Sequence, residues 1–141
     1  MTPEQFRELC RDASRALGLA DVEALFESRD TVLDGVKVGS FHDEAADPDG
    51  VFCYVDLGPI GPHARPVELM EEILALNLSL DGAMGEVIGM ERESRHLVLR
   101  ARLSEQQGAL DAHELAECLR HYAALANDLF ERVLIGVERA G

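Results

Sequence analysis

The chain has 141 residues, of which 27 are acidic and 13 basic, giving a net charge of −14. Hydrophobic residues make up 47% of it, enough for the core of one domain and too many for wholesale disorder. A surface this acidic repels nucleic acids and anionic membranes, whose binding rests on Lys and Arg; it suits a soluble protein and attracts basic or polar segments of another chain.

Thr2 is a good N-cap, Pro3 fits the first helical position and Gln5 completes a capping box, so a helix is predicted over residues 3–17. Phe6, Leu9, Cys10, Ala13, Ala16 and Leu17 form its apolar face, and Gly18 stops it. Residues 21–26 read either as a helical turn capped by Asp21 or as a short strand. Asp34-Gly35 then suits a type I′ hairpin turn between strands at 30–33 and 36–42. Val36, Val38 and Ser40 point to one side of the second strand, and Lys37, Gly39 and Phe41 to the other, so both faces are mixed. A polar turn over 42–50 leads into an apolar strand at 51–57.

The breaker-rich stretch 58–63, with Gly61-Pro62-His63 at its end, precedes a second helix over 66–78. Val67, Met70, Ile73, Leu74 and Asn77 line one side of that helix, and Leu69, Leu76 and Leu78 widen its apolar surface. A helix apolar on more than one side, in so small a chain, points to a partner subunit. Asp81-Gly82 breaks the chain again, and strands follow at 85–91 and 96–103 around the polar turn 92–95. In the second of these Leu97, Leu99, Ala101 and Leu103 alternate with Val98, Arg100 and Arg102, the pattern of a strand with one core face. The Arg100 and Arg102 face reads as solvated, with a binding groove as the alternative. Asp111 and Glu114 open a last helix of about 24 residues, whose stripe runs from Leu115 through Tyr122 and Phe130 to Val133. The predicted order is α-β-β-β-α-β-β-α: an α+β domain with three helices on a five-stranded twisted antiparallel sheet, one domain over 1–141.

Signatures of chemistry are absent from the sequence. No strand is followed by a Gly-rich phosphate loop, there is no G-x-S-x-G elbow, and Lys37 is the only lysine. His42, His63, His96, His113 and His121 form no HExxH pair and lie at no zinc-ligand spacing from a cysteine. Asp43, Glu44, Asp47 and Asp49 before Gly50 lack the late bidentate Glu of a calcium loop and read as a solvated turn. Cys10, Cys53 and Cys118 are an odd set, far apart, on apolar faces, and read as packing thiols; a nucleophilic Cys53 is the weaker alternative. Asn77 sits on an apolar stripe and reads as satisfied by a nearby backbone group, or as a buried hydrogen bond that fixes subunit register. Neither a signal peptide at 1–11 nor an apolar run of membrane-spanning length is seen, so a cytoplasmic location is expected.

Taken in order, the strand 51–57 closing on Leu57-Gly58, the helix with Ile73-Leu74-Ala75-Leu76-Asn77, Gly89-Met90-Glu91 and the strand Leu97-Val98-Leu99 resemble the class I chaperones of type III secretion, the Tir-chaperone family. The resemblance is one of diffuse apolar patterns over nearly the full length. It implies a non-enzymatic homodimer that uses no cofactor. Such a protein binds the N-terminal segment of a secreted effector in extended form and keeps it soluble and secretion-competent, with the secretion ATPase as a further candidate partner. Carried over by position, it implies a dimer interface at Leu69, Ile73, Leu76, Val87, Ile88 and Met90. Effector contacts are implied at Phe6, Val36, Val38, Phe41 and Leu99, each of which also reads as plain core. A protein-binding or regulatory module of the same fold, with no role in secretion, is the alternative.

Overall fold

A computed structural model describes residues 1–60, 65–80, 85–104, 110–132 and 134. The Gly61-Pro62-His63 breaker, the Asp81-Gly82 break and Val133 therefore lie outside the described residues. Helix α1 spans Pro3–Ala16, with the Thr2 hydroxyl accepting from the Gln5 N–H and the Gln5 side chain accepting from the Thr2 N–H. Gly18, at φ +71°, takes the left-handed turn that ends it. Residues 22–28 form a turn and no strand: the Asp21 carboxylate accepts from the Glu23 N–H, and Leu25 drops into the core.

Strands β1 (Thr31–Leu33) and β2 (Val36–Phe41) meet at Asp34-Gly35, whose φ angles of 52° and 80° both suit a type I′ turn. Strand β3 is Gly50–Pro59, α2 is Pro66–Ser79, β4 is Val87–Met90, β5 is His96–Ser104 and α3 is Ala112–Arg132. The element order is the one read from the sequence. The strands form one antiparallel sheet, ordered β1-β2-β3-β5-β4.

One sheet face is the core. Val36 and Val38, then Val51, Cys53, Val55 and Leu57, then Leu97, Leu99, Ala101 and Leu103 are all buried there. Each set is spaced by two residues, as a pleated strand requires. Helix α3 covers this face with Leu115, Cys118, Leu119, Tyr122 and Ala126, and α1 packs beside it through Phe6, Leu9, Cys10 and Ala13. Asp111 caps α3 by accepting from the Glu114 N–H.

The opposite face is half open and carries Phe41, Phe52, Tyr54, Val98 and Arg100. There Gly39 lies opposite Tyr54. A Cβ on Gly39 would collide with the far end of the Tyr54 ring, which therefore lies over the glycine. The Gly39→Ala variant should therefore lose about 1–3 kcal/mol, read as a lowered denaturant midpoint, because the Tyr54 ring must lift from the sheet. An unchanged midpoint would show that the ring is free to move.

Candidate interaction surfaces

The described residues hold little that could do chemistry. No group of three or more His, Cys, Asp or Glu among them is placed to hold a metal ion. Two of the four carboxylates of the acidic turn are engaged within the chain: Asp43 accepts from the N–H groups of Ala45 and Ala46, and Asp47 takes a bidentate pair of bonds from Arg102 at 2.7 and 2.8 Å. That guanidinium holds the Asp47 carboxyl below its ordinary range. The three thiols are free and buried. A hydrogen bond with Cys118 and burial push the Cys53 thiol well up. Burial raises Cys10 to about 11, against a lowering by the Ser40 hydroxyl. Thiols so raised stay protonated at neutral pH and are poor nucleophiles.

Three surfaces remain. The first is the outer side of α2. Leu69 and Ile73, one turn apart, are buried within the chain, whereas Val67, Leu74 and Leu78 are 71%, 70% and 90% exposed. Sequence predicted an apolar excess on this helix; the structure turns that excess outward. Val87 and Met90 add exposed apolar area on the adjacent β4, the strand that α2 packs against. Of the residues expected at a dimer interface, Leu69, Ile73 and Ile88 are thus buried in the single chain, Leu76 is half-buried, and Val87 and Met90 are open.

The second is the outer edge of the sheet at β4, which is closed by a side chain. The Asn77 amide donates to the Ile88 carbonyl at 2.9 Å and accepts from the Ile88 N–H at 2.8 Å. These are the two bonds a neighbouring strand would make, so Asn77 imitates a strand and ties α2 to β4. Of the two readings of Asn77, the backbone-satisfied one describes these bonds; its backbone partner lies eleven residues on.

The third lies at the other edge. Strand β1 ends its pairing at Val38, so that among the described residues no strand pairs with 39–41 of β2 on that side. Beside this open stretch lies a groove of about 280 Å³ lined by Pro3, Phe6, Phe26, Ser40, Phe41 and His42. Phe6 and Phe26 meet at 5.8 Å between ring centroids, and the Arg7 guanidinium lies 5.5 Å from the Phe26 ring. Phe41, at the rim, is 51% exposed. Among the residues expected to touch a partner, Phe41 is the open one; Phe6 is buried but lines the groove, and Val36, Val38 and Leu99 are core. Phe26 and His42 escaped the sequence reading because nothing local marks them: they join Phe6 only through the tertiary fold.

Arg100, read as solvated or groove-forming, stacks on Phe52 at 4.7 Å. With Val87, Gly89 and Val98 it lines a shallow depression of about 310 Å³ on the open face.

A model of the Tir chaperone protein (CesT) family matches residues 11–129. No curated protein matches the chain at a significant level. Among solved structures, a chain of the HopA1-SchA chaperone-effector complex superposes with a TM-score of 0.60 at 15% identity, over 92% of this chain and 95% of that one. A chain of the ExsC-ExsE complex gives 0.61 at 11% identity, over 93% and 95%. A chain of the ExoT-SpcS complex from Pseudomonas aeruginosa gives 0.56 at 19% identity, over 91% and 98%. Likeness at these identities is one of fold.

Proposed function

The chain belongs to the Tir chaperone protein (CesT) family, and from that premise we propose that it is a cytoplasmic type III secretion chaperone that binds the N-terminal segment of an effector as an extended chain. The observation that carries this reading is the open edge of β2 beside an aromatic groove. An extended client gains main-chain hydrogen bonds along residues 39–41 and places an apolar side chain between Phe6, Phe26 and Phe41. The rest of the sheet supports that placement: the buried Val36, Val38 and Leu99 keep β2 and its neighbours in register. Fold likeness to chains of the HopA1-SchA, ExsC-ExsE and ExoT-SpcS complexes is consistent with such a partner.

In the same proposal two copies pair through the outer face of α2. Val67, Leu74 and Leu78 make the contact together with Val87 and Met90, while Leu69, Ile73, Leu76 and Ile88 set the surface from beneath. Pairing doubles the surface offered to one client, which a disordered segment needs because it loses conformational freedom on binding. The protein works by binding alone, without catalysis or cofactor. The secretion ATPase is the partner to which the loaded chaperone would deliver its client.

Co-expression with the effector encoded nearby should yield a stable complex through that effector's N-terminal segment. Phe41→Glu should weaken it at least about tenfold by isothermal titration while the circular dichroism spectrum stays unchanged, since an exposed hot-spot ring can be lost without harm to the core. A monomeric protein that captures no neighbouring effector would overturn the proposal.

A further inference from the structure

His42 stands between the start of α1 and the loop joining β2 to β3. Its Nδ1 lies 2.8 Å from the Gly50 carbonyl oxygen and its Nε2 lies 3.0 Å from the Met1 carbonyl oxygen. Carbonyl oxygens only accept hydrogen bonds, and a neutral imidazole carries one N–H. Both contacts are therefore hydrogen bonds only when the ring is imidazolium; in the neutral ring one nitrogen lone pair faces an oxygen lone pair. We propose that protonated His42 is a staple that fastens Met1, the residue leading into the cap of α1, to the start of β3, and that loss of its proton loosens the first turn of α1 and the groove wall it builds.

The surroundings suit a cation. The Phe6 ring lies 5.6 Å away, tilted by 43°, within reach of a cation–π contact. The Asp47 carboxylate lies in the same loop, bound to Arg102. Glu44 lines the same groove. The nearby positive charges are the Met1 amino group, turned onto the Pro48 carbonyl at 3.2 Å, the Arg102 guanidinium, paired with Asp47, and the Arg7 guanidinium, paired with Glu23. From the 22–28 turn the groove receives Phe26 and Ser28, which carry no charge.

Pro3 and Phe6 on α1 line the groove together with His42, so the staple holds one wall in place. The first turn of α1 should therefore be tight while the ring carries both protons and loose once it has lost one. That the groove then grips a client less well as pH rises rests on the chaperone reading; the staple itself does not.

The test uses the free protein. Nitrogen-15 NMR of the histidine rings should show both His42 nitrogens protonated at pH 5.5. Hydrogen-exchange protection at the Gln5 and Phe6 amides, corrected for intrinsic rates, should fall about tenfold between pH 5.5 and pH 8, the loss of one charge-assisted bond. Amides in the β3–β5 ladder should not change. In His42→Gln, whose two N–H groups share one nitrogen and so cannot replace donors at both Nδ1 and Nε2, protection in α1 should be equally low at both pH values. A neutral His42 ring at pH 5.5, or the same pH profile in His42→Gln as in the natural protein, would overturn the staple. Neither result bears on whether the protein is a chaperone.

Discussion

Replacing Leu74 and Leu78 together by aspartate is expected to leave the chain folded and to separate paired copies. Both side chains are at least 70% exposed in the single chain, so their loss opens no cavity in the core. In a pair related by a two-fold axis each substitution counts twice. Four buried leucines vanish from the contact and four carboxylates must give up water or hold the copies apart. A loss of about 2 kcal/mol at each of two or more central positions raises the dissociation constant at least about a thousandfold. If two copies pair through α2 as proposed, sedimentation equilibrium should report a dimer for the natural protein and a monomer for the variant at the same concentration, with an unaltered far-ultraviolet spectrum. Leu69→Asp makes the contrast. Leu69 is 5% exposed against its own chain, so that variant should lose structure as well as pairing. If Leu74→Asp/Leu78→Asp still migrates as a pair, α2 is not the contact.

The features legible in the sequence are those written locally. The Thr2–Gln5 capping box, the Asp34-Gly35 turn and the alternation of β5 each depend on residues a few positions apart, and each stands in the structure as read. The segment 21–26 was ambiguous because its apolar residues, Val22, Leu25 and Phe26, fit a turn as well as a strand. What decides it is the Asp21 side chain taking up the Glu23 N–H. The surfaces were harder to read. An apolar helix gives no sign of which apolar side its own chain will cover, so Val67, Leu74 and Leu78 could not be told from Leu69 and Ile73 by pattern alone. Val36, Val38 and Leu99 looked as fit for a partner as Phe41 did. Only the antiparallel register, which buries the first three and leaves β2 open past Val38, separates them.

Asn77→Leu is expected to cost about 2–3 kcal/mol, because it strips both hydrogen bonds from the half-buried Ile88 backbone and offers nothing in return. At this chain length that corresponds to a fall of roughly 5–10 °C in Tm at fixed protein concentration. It should also leave the β4 edge open, and hence promote concentration-dependent association through that edge, beyond the proposed pairing through α2. Asn77→Asp separates the two bonds by pH. A protonated carboxyl can accept from the Ile88 N–H and donate to the Ile88 carbonyl, as the amide does. Once ionised it can only accept, and its second oxygen is held against the carbonyl oxygen. The folded state thus favours the protonated form, so the carboxyl titrates higher folded than unfolded. The stability of Asn77→Asp relative to the natural protein should be near parity in acid and fall as pH rises through the carboxyl range. Parity with the natural protein at all pH values would mean that Asn77 acts through its bulk alone, since the two side chains have nearly the same shape. A deficit that grows as the pH rises would show that the edge of β4 is closed by a side chain imitating a strand, in contrast with residues 39–41 of β2, which pair with β3 alone among the described strands.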